Sequence, residues 1–105
     1  MNNDFIIVYV TTANRNQAEE IAKTLVEEKL ISCAHIYPVL SFFNWKGIME
    51  SDEEFRIVMK SRADLFDELS KRVKALHSYE VPEIIAVPIV AGWKDYLDWM
   101  QSVLK

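Results

Sequence analysis

The sequence predicts one α+β domain spanning residues 1–105, a β-sheet carrying two helices on one face. Three observations predict it. Short runs of β-branched and aromatic residues stand near both ends of the chain, at Phe5–Val10 and Ile84–Val90. Two stretches with apolar residues at helical spacing lie between them. A long extended segment separates those stretches and turns back on itself at Lys46-Gly47.

Phe5-Ile6-Ile7-Val8-Tyr9-Val10 is continuous and short, the pattern of a buried strand. Thr11-Thr12-Ala13-Asn14 follows, and Thr and Asn side chains can accept from the free N–H groups of a first helical turn. Ala18, Ile21, Ala22, Leu25 and Val26 then recur at i, i+3, i+4, i+7 and i+8, one face of an amphipathic helix with Glu19, Glu20, Lys23, Glu27 and Glu28 toward water. Residues 31–46 read as extended structure. Pro38 lies within them and removes a ladder donor, so it requires an edge, a bulge or a bend.

Ile48–Lys60 runs back with Phe55, Ile57 and Met59 on one face and Arg56, Val58 and Lys60 on the other. Glu50, Asp52, Glu53 and Glu54 read as a solvated, aggregation-resistant strand ahead of a partner-binding patch. Ser61-Arg62-Ala63-Asp64 has the form of a capped helix entry. Leu65, Phe66, Leu69, Val73 and Leu76 give the second apolar stripe, and Lys71, Arg72 and Lys74 sit toward its C-terminal end, where the helix dipole favours cations. Pro82 biases Val81 toward extended backbone, so this helix must stop around His77 or Ser78. After the last strand Ala91-Gly92 breaks the chain, and Tyr96, Trp99, Met100 and Val103 mark a short closing helix.

The order strand, helix, strand, strand, helix, strand is the split βαβ arrangement of ferredoxin-like folds. Its first and last strands are apolar at odd and even positions alike, so both sheet faces call for burial. Two helices cover one face, and one short closing helix is too little for the other. An open apolar face would be a large adhesive patch. The pattern therefore predicts an oligomer.

A net charge of −4 with no basic stripe argues against nucleic acid, whose binding needs clustered cations. The single cysteine, Cys33, forbids an internal disulfide and fits a reducing compartment. Met1-Asn2-Asn3-Asp4 is polar and acidic, so no signal peptide is expected, and no apolar run reaches the length of a membrane span. A cytoplasmic protein is the expectation. Two glycines, Gly47 and Gly92, do not make a phosphate-cradling loop, and no nucleophile is visibly matched to a base, so the protein is not expected to be an enzyme.

Several segments together resemble the CutA family of divalent-cation tolerance proteins. Tyr9-Val10-Thr11-Thr12 is similar to the family's first strand and turn, and Leu30-Ile31-Ser32-Cys33-Ala34 to the entry of its second strand. Trp45-Lys46-Gly47 resembles its hairpin tip and Met59-Lys60-Ser61 the end of its third strand. The strongest part is Leu76-His77-Ser78-Tyr79-Glu80-Val81-Pro82-Glu83 with Tyr96-Leu97-Asp98-Trp99. The resemblance implies a ferredoxin-like subunit assembled as a homotrimer, an association with divalent metals and copper above all, and, in animals, the anchoring of a partner enzyme. The architecture is similar to trimeric nitrogen-regulatory signalling proteins, which makes a scaffold for a small metabolite or partner protein the runner-up reading.

His77 is the first metal candidate, an imidazole on a loop beside Glu80. Cys33 and His35 are the second, two residues apart on one face of a strand and about 7 Å apart along it. Soft thiolate with imidazole suits copper. The resemblance also shows departures. Val10 stands where some bacterial members carry a first-strand cysteine, and Leu76 where they carry a second histidine. His35 replaces a more usual asparagine, Ser78 and Ala13 replace prolines, and Trp93 replaces a small polar residue. Trp45, Lys60, Tyr79, Glu80 and Glu83 are candidates for an interface or for a pocket between subunits that takes a small anionic ligand, with a Lys60–Glu80 pair as the alternative.

Overall fold

The computed structural model describes residues 4–105. Residues 1–3, on which the signal-peptide expectation partly rests, lie outside the described residues. The elements run β1 (Phe5–Thr12), α1 (Arg15–Glu27), β2 (Cys33–Trp45), β3 (Ile48–Arg62), α2 (Phe66–Leu76), β4 (Ile84–Pro88) and α3 (Lys94–Val103), with one 3-10 turn, Ala63–Leu65, leading into α2. The sheet order is β2-β3-β1-β4 and every pair is antiparallel. This is the split βαβ order expected from the sequence. No helix among the described residues is long and apolar enough to cross a membrane.

Local chemistry explains most boundaries. Asn14 caps α1, its Oδ1 accepting from the Gln17 N–H at 2.9 Å. At the other end Lys29 adopts φ +61, the Leu30 N–H donates to the Leu25 carbonyl and the Lys29 N–H to that of Val26. These are the paired bonds of a Schellman ending, here with lysine at the left-handed position that glycine usually takes. Lys46 and Gly47 both have positive φ, 53 and 83, so the β2–β3 hairpin closes through the two-residue turn that suits strand twist. Asn44 Oδ1 accepts from the Gly47 N–H at 3.1 Å and steadies it.

Register divides the sheet into two faces. Val8 opposite Met59 and Val10 opposite Ile57 face α1 and α2, and all four are fully buried with Ile21, Leu25, Leu69 and Val73. The other face carries Ile7, Tyr9, His35, Tyr37, Val58, Ile85 and Val87, since Tyr9 lies opposite Val58 and Ile85, and His35 opposite Val58. This second face is open in the subunit, with Ile85 48% and Val87 39% exposed. α3 does not close it. Its buried Met100 and the following Leu104 turn inward, and Tyr96 reaches only the corner at Cys33 and Lys60.

Three expectations need correction. Ser61 is not a helix cap: it is buried at the end of β3 and donates to the Leu30 carbonyl at 2.7 Å, while the turn at Ala63 has no side-chain cap. β2 begins at Cys33, because Leu30 and Ile31 are drawn into the core after the Schellman ending. β4 closes at Pro88, two residues before the apolar run ends, and leaves Val90 93% exposed. Pro38 is accommodated by the edge position of β2, since the β2–β3 register passes through it without a bulge.

Candidate functional site

The connection from α2 to β4 is held from inside by His77. Its ring is buried, Nε2 donates to the Thr11 carbonyl at 2.8 Å, and Nδ1 accepts from the Tyr79 N–H at 3.0 Å. A carbonyl can only accept and a backbone N–H can only donate, so these bonds require the neutral ring protonated on Nε2. Both nitrogens are thereby used within the subunit, and a metal would have to displace one of them. The ring also lies 4.8 Å from that of Tyr79. Lys74 closes the loop from outside, its ammonium donating to the Tyr79 and Glu80 carbonyls at 3.1 and 3.0 Å.

Held this way, the loop forms one wall of a groove of about 940 Å³ whose other wall is the outer half of the β2–β3 hairpin. Tyr79, Glu80 and Glu83 come from the loop; Trp45, Glu50 and Glu54 come from the hairpin. Strand alternation explains the hairpin's contribution: Glu50, Asp52 and Glu54 share the open face, opposite Phe43, Ser41 and Val39. The Tyr79 hydroxyl donates to Glu54 Oε2 at 2.5 Å. Burial, and then the Glu54 and Asp52 carboxylates, push the Tyr79 hydroxyl above its ordinary pKa, so it stays a neutral donor. Glu83 is tied elsewhere. It accepts from the Thr11 hydroxyl at 2.9 Å and from Arg56 at 3.2 Å, and Arg56 lies 4.4 Å from the Tyr9 ring centre. The Arg56 Nε is buried and unpaired among the described residues.

Lys60 is not in this groove, and the expected Lys60–Glu80 pair does not form. The Lys60 ammonium donates to the Tyr96 hydroxyl at 3.1 Å, a bond that raises its pKa above the ordinary value. Cys33 Sγ lies 3.5 Å from the same hydroxyl, and Cys33 sits directly opposite Lys60 in the β2–β3 ladder. His35, two residues on, shares that face and is exposed. The candidates therefore fall into three places: His77 locking the loop, Trp45, Tyr79, Glu80 and Glu83 around the groove, and Cys33, His35 and Lys60 at the α3 corner. No group of three or more His, Cys, Asp or Glu side chains among the described residues is arranged to hold a metal ion.

Five carboxylates line this groove within the subunit, and no lysine or arginine does. Glu54 is the residue that sequence reasoning misplaced. Read as part of a solvated tip, it is only 6% exposed. The spacing Glu50-x-Asp52-x-Glu54 carried the signal, since it puts three acids in one row on a single face of a strand.

The sequence profile of the family described as CutA1 divalent ion tolerance protein matches residues 6–103. The divalent-cation tolerance protein CutA of Archaeoglobus fulgidus is 43% identical over 98 residues, covering 93% of this chain and 96% of the relative. Among solved structures, the divalent cation tolerance protein Cut A1 of Thermus thermophilus superposes with a TM-score of 0.94 at 40% identity, covering 96% of this chain and 99% of that one. CutA1 of Oryza sativa superposes with a TM-score of 0.95 at 37% identity, covering 99% of this chain and 96% of that one.

Proposed function

The chain belongs to the CutA1 divalent ion tolerance family, and on that premise we propose that it is a homotrimer that binds copper or another divalent metal ion in the cellular response to such ions. The observation that carries the reading is the open sheet face. Ile7, Tyr9, Val58, Ile85 and Val87 make it apolar in the middle, and no element of the subunit covers them. Burying it between subunits removes apolar surface from water, and each Å² so buried contributes about 25 cal/mol before the entropy of association is subtracted.

The metal would be held at the rim of that face by Cys33 and His35. Thiolate and imidazole form a donor pair suited to copper, and the His35 ring has no hydrogen-bond or ion-pair partner among the described residues. Two donors from one chain do not complete a coordination sphere, so the remaining ligands come from water or from a neighbouring subunit. His77 acts instead as a structural residue of the loop. A reducing compartment keeps the Cys33 sulfur out of disulfides and free to act as a ligand, which agrees with a cytoplasmic location.

Native mass spectrometry with copper titration under reducing conditions tests assembly and metal together. The expected result is a trimer that takes up copper and loses that uptake in the Cys33→Ser/His35→Ala variant. A monomer would overturn the assembly. A trimer whose copper uptake is absent, or unchanged in the double variant, would overturn the metal site.

A further inference from the structure

We infer that the Lys60 ammonium sets the charge of the ion taken at the Cys33–His35 corner, favouring monovalent copper over divalent ions. The inference rests on the metal reading of that corner and adds the property that selects among metals.

Position is the first argument. Cys33 and Lys60 lie directly opposite in the β2–β3 ladder, so their side chains leave the same face of the sheet. Tyr96, from α3, joins them: its oxygen accepts from Lys60 Nζ at 3.1 Å and lies 3.5 Å from Cys33 Sγ. A free lysine side chain swings its charge out into water. This one is held beside the sulfur by the hydroxyl, with its nitrogen 5.2 Å from the centre of the Tyr96 ring.

Compensation is the second. Lys60 is half-buried and forms no ion pair with a carboxylate among the described residues. Lysine titrates far above neutral pH, so this charge is constant where metal binds. A sulfur that ligates as thiolate cancels it once, and the charge of the bound ion is then left in full. Repulsion by the ammonium is proportional to that charge, so a divalent ion is opposed twice as strongly as a monovalent one. Donor chemistry points the same way. Zinc takes four ligands, whereas monovalent copper is satisfied by few soft donors. Within the subunit the corner offers sulfur and imidazole, and no third His, Cys, Asp or Glu side chain among the described residues joins them.

Competitive titration of the full-length, assembled protein without oxygen tests this, with bicinchoninate competing for copper(I) and zincon for zinc(II). Lys60→Met removes the charge and keeps the length of the side chain. It is expected to raise copper(I) affinity about tenfold and zinc(II) affinity about a hundredfold, so the preference for copper falls about tenfold. Lys60→Arg keeps the charge and is expected to keep the preference. Tyr96→Phe retains the ring but frees the ammonium, and should shift the preference in the same direction by a smaller factor. It keeps the test decisive should Lys60→Met fail to assemble. Equal changes for the two ions, or an unchanged preference in both Lys60→Met and Tyr96→Phe, would overturn the inference and leave the metal reading standing. Binding of neither ion by the unsubstituted protein, or binding unaffected by Cys33→Ser/His35→Ala, would overturn the metal reading and this inference with it.

Discussion

The two faces of one sheet are built from alternate residues of the same strands, yet they end in opposite states. Toward the helices, Val8, Val10, Ile57 and Met59 are fully buried in a core closed by α1 and α2. Away from the helices, Tyr9, Val58, Ile85 and Val87 are no less apolar in character, but Ile85 remains 48% exposed. The difference does not lie in residue type. It lies in what the rest of the chain can place over each face, and two amphipathic helices on short connections reach only one of them. The covered face is where this chain stabilises itself, and the open face is where the acidic groove, the Cys33 corner and the proposed subunit contacts all lie.

The largest expected effect tests that contrast directly. Ile57→Ala, in the covered core, should cost roughly 2–5 kcal/mol through lost burial and the cavity left behind, read from denaturant midpoints. Ile85→Ala makes the same chemical change on the open face and should leave the secondary structure by circular dichroism intact, weakening association measured by sedimentation instead. Equal losses of subunit stability from the two variants would break the comparison.

A smaller effect sharpens it from the covered side. Lys29 holds a left-handed conformation at the end of α1, where a side chain is strained. Lys29→Gly should raise stability by about 0.5–1 kcal/mol, visible as a thermal midpoint higher by roughly 4 °C. Assembly should not change. A destabilised variant would mean that the Lys29 side chain contributes more than its backbone strain costs.

The smallest concerns the bridge between the two helices. Arg72 donates to both carboxylate oxygens of Glu28, and this hydrogen bonding lowers the Glu28 pKa from its ordinary 4.5. A folded-state pKa below the unfolded one adds stability that is fully present above the ordinary value and is lost as pH falls through the lowered value. Both groups are at the surface, so the contribution is modest. Glu28→Gln should therefore narrow the stability difference between pH 7 and pH 3, measured by urea denaturation at each pH. An unchanged difference would remove the pair from the account.

Much of the fold was legible because it depends on near neighbours. The Lys46-Gly47 turn, the Asn14 cap, the apolar stripe from Ala18 to Leu25 and the stop imposed ahead of Pro82 are each decided within a few residues. The site was legible as a region and not as a set of contacts. His77, Tyr79, Glu80 and Glu83 were placed on the right loop, but His77 turned inward to the Thr11 carbonyl. Lys60 went to Tyr96 rather than to Glu80, and Ser61 to Leu30 rather than to a helix N-terminus. Those partners are 36 and 31 positions away, and nothing local announces them.

The sequence by itself determined the periods, hence the order and kind of the elements, and it determined that both faces of the sheet are apolar. Alternation and helical spacing are properties of a short stretch, set by backbone geometry that every residue obeys. Only the tertiary structure decided which face the helices cover, that Glu54 is withdrawn from water against Tyr79, and that Cys33, Lys60 and Tyr96 share a corner. Each of these depends on the register between distant strands and on the path of a connection, where a shift of one residue would send every side chain to the opposite face.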